Sequence, residues 1–440
     1  MTAPASLRVS RDSESRFQNR WFWCLFGLTL VIHGGTMIVY SEHLTEDRDA
    51  YLALATQLAE GNGFRSSADA PLTAYRPPVY PIALSFFLRV FPPAASVALL
   101  NGICSLAVVL LTWRLARDWW NDFWAALAAL VVMGDPLILI NATLPMTEIM
   151  FTALVLAILF LATRQEQSLR NRLGLGVCFG LAALCRPTIW PFGVLAVLVW
   201  MGRVCFREQG TPAWRQVLVR GLPVLATVGL TIAPWIIRNA MVFQAFVPMT
   251  THGGYTLLLA NNPVFYEEVV SQGWRTTWQG DSLNRWQQTV AEEMRQSLPP
   301  EAGEIADSRW MTQRAIDNIR SDWSTFGKSC QVRLLRFWNP VPMSTRDRPV
   351  PTILQWGIGL YSTILFLGAI VGLFARWRRT QADWFLGLAI ILMISFSLIH
   401  AVYWSNLRMR TPLEPVLVLL AFSAILPGRN AGNEVTQRSG

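Results

Sequence analysis

The chain has 440 residues, 52% of them hydrophobic and only 15% charged, with a mean hydropathy of +0.34. That is more apolar surface than one soluble core hides, which excludes an ordinary water-soluble domain and makes lipid the second solvent. The net charge of +9 is almost all arginine, Lys328 being the only lysine, and the basic residues cluster between apolar runs; this is the pattern of cytoplasmic loops beside an anionic leaflet, not of a nucleic-acid-binding patch.

In chain order, a polar segment over 1–20 with Arg8, Arg11, Arg16 and Arg20 precedes an apolar run over 21–40 that has no small-x-small cleavage site after it. It reads as a cytoplasmic tail and an uncleaved signal anchor. Further runs of spanning or near-spanning length lie at 94–113, 123–142, 146–163, 221–237, 351–375, 384–404 and 411–427. The run over 173–204 is too long for one helix, is interrupted by Arg186-Pro187, and has arginines on both flanks, so it is expected to cross twice. The prediction is an all-α integral membrane protein of about ten transmembrane helices, both termini inside. Its membrane parts are 21–238 and 351–427, with a second tail over 428–440.

Two exterior segments exceed mere connections: the first outer loop, 41–93, and a cap over 239–350. The loop predicts a helix from Asp49 to Glu60 stopped by Gly61 and Gly63, then an apolar helix after Pro78 lying along or dipping into the membrane surface. The cap predicts amphipathic helices over 282–298 and 307–337.

The six cysteines and four histidines show neither disulfide nor zinc spacing. No structural metal and no cofactor are expected, and the sequence does not fix whether a divalent cation takes part. No nucleotide-binding glycine motif follows a strand.

Ionisable groups near membrane depth carry the functional signal. Under the ten-span topology Glu46, Asp47, Asp49, Arg76, Glu148, Arg186, Arg238, Arg408, Arg410 and Glu414 all fall on the outer side. Taken singly, each is a snorkelling arginine or a solvated carboxylate. Their convergence suits a lipid-linked phosphate, because guanidinium forks match phosphate oxygens and a carboxylate can take an acceptor's proton.

The first loop reads Asp47, Tyr51, Leu54-Ala55, Glu60-Gly61-Asn62-Gly63-Phe64 and Arg76-Pro77-Pro78-Val79-Tyr80-Pro81. Thr147-Glu148, Gly180 to Pro187, Pro234-Trp235-Ile236-Ile237-Arg238-Asn239, Gly253-Gly254, Asn261-Asn262-Pro263, and Arg408-Met409-Arg410-Thr411-Pro412 with Glu414-Pro415 follow in order. This series resembles the GT-C superfamily of polytopic glycosyltransferases that includes protein O-mannosyltransferases and aminoarabinose transferases.

The resemblance implies an inner-membrane enzyme, its active site facing the periplasm or exterior, that moves a sugar with inversion from a polyprenyl-phosphate donor to a glycan, lipid or protein acceptor. It implies a loop aspartate as base. Relatives place a second acid directly after it, whereas here Glu46 precedes Asp47 and Arg48 follows. Glu46, Asp47 and Asp49 therefore all stand as candidates, with Asp47 favoured by its spacing to Tyr51. Glu148 is a supporting carboxylate, and Arg76, Arg238, Arg408 and Arg410 are the implied phosphate ligands. Tyr51, Arg186, Asn261, Asn262 and Glu414 match family elements without assigned roles. The competing expectation is a transporter or flippase of an anionic lipid-linked substrate, which predicts charges nearer mid-membrane and paired broken helices.

Overall fold

The computed structural model describes residues 5–164, 168–207, 213–276, 278, 280–343, 350–379 and 383–426, and among these every regular element is a helix or helical turn. Helix α1 (Ala5–Val39) leads into the first loop, which holds α2 (Tyr51–Ala59) and α3 (Val79–Leu88). Then come α4 (Pro93–Ala116), α5 (Asp122–Met133), α6 (Pro136–Ala142), α7 (Glu148–Ala162), α8 (Leu169–Cys185), α9 (Trp190–Arg207) and α10 (Ala213–Phe243). The cap contains α11 (Gly253–Ala260), the short α12 (Pro263–Phe265), α13 (Asp281–Ser297), α14 (Gly303–Ser321) and α15 (Trp323–Phe337). The chain re-enters the bundle through α16 (Thr352–Arg379), α17 (Trp384–Val402), a 3-10 turn over Leu407–Leu413, and α18 (Glu414–Ile425).

Among the described residues six helical stretches, in α1, α4, α9, α10, α16 and α17, are long and apolar enough to cross a membrane, or seven if α5 and α6 count as one. The remaining apolar runs differ from expectation for local reasons. The 123–142 run bends by 57° between α5 and α6, where Asp135 turns its carboxylate to the amides of Leu137 and Ile138 and starts a new helix. In the last run Thr411, Pro412 and Leu413 are taken up by the 3-10 turn, so only 12 residues remain in α18, about 18 Å at the α-helical rise. The 173–204 run does break at Arg186-Pro187, giving α8 and α9. The segment 1–20 is helical from Ala5 and continuous with the first span, and the tail expected over 428–440 lies outside the described residues.

Lipid as outer solvent is written on the helix faces. Leu225 and Leu230 on α10, and Leu360, Leu367 and Phe374 on α16, are each at least 60% exposed, whereas Val108, Ala125, Ala129, Leu156 and Leu419 are fully buried in the bundle core. With no hydrophobic drive between helices inside lipid, close approach must come from small residues. A Cβ on Gly176 of α8 would lie 1.8 Å from Thr227 Oγ1 of α10, and one on Gly180 would lie 2.7 Å from Thr231 Cβ. A Cβ on Gly372 of α16 would lie 1.7 Å from the Leu420 carbonyl oxygen of α18.

The first loop packs down more deeply than a surface helix would. Tyr80 and Leu84 of α3 are fully buried against the bundle while Ile82 and Phe86 face outward. The cap has its own core of Leu258, Phe265, Trp278, Trp286 and Met311, with Trp404 packed against it. The single helix expected over 307–337 is two, because Asp322 leaves helical geometry (φ −147°, ψ 79°) and caps α15 through the Thr325 amide. Cap and loop are joined by Glu304 at the start of α14, which accepts from the Thr73 and Thr251 hydroxyls and from the Ala74 amide at 2.9 Å.

Gly176→Val and Gly372→Val should each destabilise the detergent-solubilised protein by about 2 kcal/mol or more. Gly27→Val, at a position with open space around it, should change little. Thermal melting of the three variants tests this, and equal effects at all three sites would contradict the close-packing account.

Candidate active site

Helix α2 begins with an unusual turn: Ala50 adopts a left-handed conformation (φ 60°), which a residue with a Cβ rarely does. Two carboxylates just upstream are thereby given different partners. Asp47 reaches the exposed amides at the start of α2, accepting from Leu52 at 3.0 Å and Ala53 at 2.7 Å. Asp49 lies between two guanidiniums, accepting from Arg76 Nη2 through Oδ1 and from Arg408 Nη2 through Oδ2, each at 2.9 Å. Glu46 is held by Arg48 through two hydrogen bonds of 3.0 and 2.9 Å.

From Asp49 the network continues into the bundle. Glu148, 1% exposed at the start of α7, has Oε1 2.9 Å from Arg186 Nη1 and 3.4 Å from Arg408 Nε. Neither contact has hydrogen-bond alignment, and Glu148 Oε2 has no hydrogen-bond partner among the described residues. Arg186 and Arg408 also direct Nη atoms at the Met409 and Met146 thioethers. On the other side, Arg76 Nη1 meets His252 Nε2 at 2.9 Å, and since arginine can only donate, Nε2 is the bare acceptor nitrogen. Tyr51 lies beneath the Arg76 guanidinium at 5.6 Å and packs edge-on to Tyr80 at 5.8 Å.

The electrostatics follow from burial and pairing. Burial by itself pushes the Asp49 carboxyl up, but Arg408 and Arg76 outweigh it and hold the carboxyl at about 2. Burial, then Arg76, depress His252 to about 3, so it is neutral at physiological pH. Three guanidiniums (Arg76, Arg186, Arg408) thus share two carboxylates (Asp49, Glu148), leaving an excess of positive charge. Arg76 Nε and His252 Nδ1 are buried without hydrogen-bond partners among the described residues, and Arg408 Nε has only its misaligned approach to Glu148; this is the donor surplus an anion would satisfy.

The other residues singled out by sequence do not join this network. Arg238 donates to the Thr73 carbonyl and to Asn239 Oδ1 and stacks on Trp235 at 5.0 Å, tying α10 to the first loop. Arg410 pairs with Glu414 at 2.7 Å and donates to the Phe337 and Asn339 carbonyls. Asn261 donates to the Leu257 and Val402 carbonyls, and Asn262 caps α12 through the Phe265 amide. Sequence reasoning passed over His252, although it stands immediately before the Gly253-Gly254 element. It also passed over Glu304, which carried no local signal. Two clefts, of about 250 and 300 Å³, meet at Tyr75 and Glu304, and the smaller is lined by Arg76. The larger is walled by Tyr255, Trp286, Gln287, Met294 and Asp307. Among the described residues no three His, Cys, Asp or Glu side chains converge as a metal site would require.

Asp49→Asn should lower stability at pH 7 by on the order of 2 kcal/mol, because a carboxyl held near 2 stabilises the folded state relative to its ordinary value. The contribution is complete above pH about 4 and is lost as pH falls toward 2. Melting of wild type and variant from pH 2 to 8 should show a constant gap above pH 5 that closes in acid, and a gap that changes between pH 6 and 8 would contradict this assignment.

Residues 75–230, from the Tyr75-Arg76 step into α10, match the family model described as dolichyl-phosphate-mannose-protein mannosyltransferase. No curated protein matches the chain in sequence. Among solved structures, the chain is similar to the archaeal oligosaccharyltransferase AglB from Archaeoglobus fulgidus in complex with an inhibitory peptide and a dolichol-phosphate. The TM-score is 0.52 at 12% identity, over 93% of this chain and 50% of that one. The same organism's oligosaccharyltransferase in the apo form gives 0.52 at 13% identity, over 93% and 51%. ArnT from Cupriavidus metallidurans bound to undecaprenyl phosphate aligns over 92% of this chain and 77% of that one at 14% identity, with a TM-score of 0.40. The chain spans about half the length of the oligosaccharyltransferases it matches. The chain thus folds as a multi-pass helical bundle similar to those oligosaccharyltransferases, and over residues 75–230 it carries a stretch that matches the mannosyltransferase family model.

Proposed function

We propose that the chain transfers a sugar from a polyprenyl-phosphate donor to an acceptor at the outer face of the cytoplasmic membrane. The observation that carries this reading is the buried surplus of guanidinium over carboxylate where the first loop, α7, α8 and the Leu407–Leu413 turn meet. A phosphate group seated against Arg76 and Arg408 would compensate it, with Arg186 adding positive potential through Glu148. The dolichol-phosphate in the AglB complex, a protein of the same fold, is consistent with such a donor.

In the proposed reaction the acceptor oxygen attacks the anomeric carbon as the bond from that carbon to the phosphate oxygen breaks, inverting the centre. The acceptor's proton passes to Asp47, and the phosphate leaves with its negative charge held by the arginines. Asp47 suits the base better than its neighbours. Glu46 is engaged by Arg48, and Asp49, held near 2 between two guanidiniums, is a poor proton acceptor. Asp47 alone of the three meets neutral amides instead of an arginine and remains partly accessible. Asp49 is the positioning residue that keeps Arg76 and Arg408 at a spacing a phosphate can enter. The clefts beside Tyr75 give room for a sugar and an acceptor, and the polyprenyl tail lies along the lipid-facing bundle. In this reading 41–93 is the catalytic loop, 239–350 the exterior cap, and both termini are cytoplasmic.

Mass spectrometry of surface glycans and lipid-linked sugars in wild-type, deletion and variant cells is the test. Asp47→Asn should reduce transfer at least about 100-fold, and Arg76→Gln by a similar factor, with protein levels unchanged. A stable Asp47→Asn protein that fully restores the missing glycan would sink the assignment of the base. If no glycan differs between wild type and deletion, transport of an anionic lipid becomes the better reading. Single cysteines engineered across 47–76 should be labelled by a membrane-impermeant thiol reagent from outside only.

A further inference from the structure

Two arginines one turn apart on α15 are turned into the protein interior, and they are treated very differently. Arg333 is fully buried and fully engaged: it donates to the Ala401 carbonyl at 2.6 Å, to the Ala260 carbonyl, to Ser329 Oγ at 2.6 Å and to Asn261 Oδ1 at 3.3 Å. Those contacts pin α15 to α11 and α17. Arg336 is only 5% exposed, yet its Nε and Nη1 have no partner, and no carboxylate among the described residues pairs with it. Its Cζ lies 5.5 Å from the Trp404 ring. Ser405 Oγ and Asn406 Oδ1, the polar atoms that follow Trp404, are likewise buried without partners.

An uncompensated guanidinium inside a protein is unfavourable, and arginine cannot escape by losing its proton. Burial, with the adjacent Arg333 charge, depresses Arg336 only to about 10, so it stays charged. A methionine would fill the same space without the charge. The two unpaired groups, Nε–H and Nη1–H, are donors only and lie on different sides of the guanidinium, so the demand they leave is for acceptor oxygens. The connection from Trp404 runs directly to Arg408 of the Asp49 network, which puts this gap next to the candidate active site along the chain.

We propose that Arg336 marks a second oxyanion site, between α15 and the Trp404–Asn406 connection, which takes phosphate oxygens of a bound ligand separately from the Arg76–Arg408 pair. The inference stands on the buried guanidinium and its two unpaired donors and does not require the transfer reaction.

The test uses the full-length protein in detergent, with Arg336→Met and Arg336→Lys compared in both the wild-type and the Arg76→Met backgrounds, so that binding at the first site is separated from binding at the second. Without ligand, Arg336→Met should melt at or above the parent temperature, because an uncompensated charge has been removed. In the Arg76→Met background, inorganic phosphate or undecaprenyl phosphate in mixed micelles should still raise the melting temperature. Arg336→Met should weaken that response at least tenfold, with Arg336→Lys in between. A response to inorganic phosphate identifies a free-phosphate site, and a response to the lipid alone identifies a headgroup site. If Arg336→Met responds like its parent, or Arg336→Met is strongly destabilised without ligand while Arg336→Lys binds phosphate normally, Arg336 is a structural residue and the proposal fails. A shift with glucuronate but with neither phosphate probe overturns the phosphate assignment.

Discussion

One carboxylate joining two guanidiniums organises the functional end of this protein. Arg76 comes from the first loop and Arg408 from the turn before the last helix, and Asp49 accepts from both. Without it, two like charges at such range in a low-dielectric setting would separate and take their loops with them. With it, alternating charges run from Arg76 through Asp49, Arg408 and Glu148 to Arg186, stitching the loop to α7 and α8. The alternation leaves positive charge in excess. The same arrangement therefore supplies structural cohesion and an unmet demand for an anion.

The cap is fixed over this network by polar contacts of a different kind. Glu304 gathers two threonine hydroxyls and a backbone amide from the loop and from the start of the cap. Gly254 allows α11 to sit so close to α14 that a Cβ there would lie 2.2 Å from the Ser308 carbonyl oxygen. The Thr251 amide bonds to the Ala74 carbonyl, two residues before Arg76. These contacts set the position of His252 against Arg76 and form the clefts on either side of Tyr75. Local strain at Ala50 has the same logic: an unfavourable backbone conformation is retained where it divides the partners of Asp47 from those of Asp49.

Much of the architecture was legible because it is governed by local properties of the chain. Hydropathy and arginine placement gave the membrane class, the break at Arg186-Pro187, and the loop helix ended by Gly61 and Gly63. They overstated the continuous spans. An acid that caps a new helix, as Asp135 does, or a proline-containing turn such as that around Pro412, interrupts an apolar run without lowering its average hydropathy much.

The sequence by itself determined that the chain lives in lipid, where its two long connecting segments fall along the chain, and that Asp47, Asp49, Arg76, Glu148, Arg186 and Arg408 are unusual residues. Only the tertiary structure decided how they pair. It assigns Asp47 to helix amides and Asp49 to two arginines, gives Arg238 and Arg410 to carbonyl and carboxylate partners elsewhere, and leaves Nε and Nη1 of the buried Arg336 without a hydrogen-bond partner among the described residues. Burial of apolar surface is an additive property that neighbouring residues report. Ion pairing depends on distances of a few ångströms between groups hundreds of residues apart, and those distances exist only once the helices have packed.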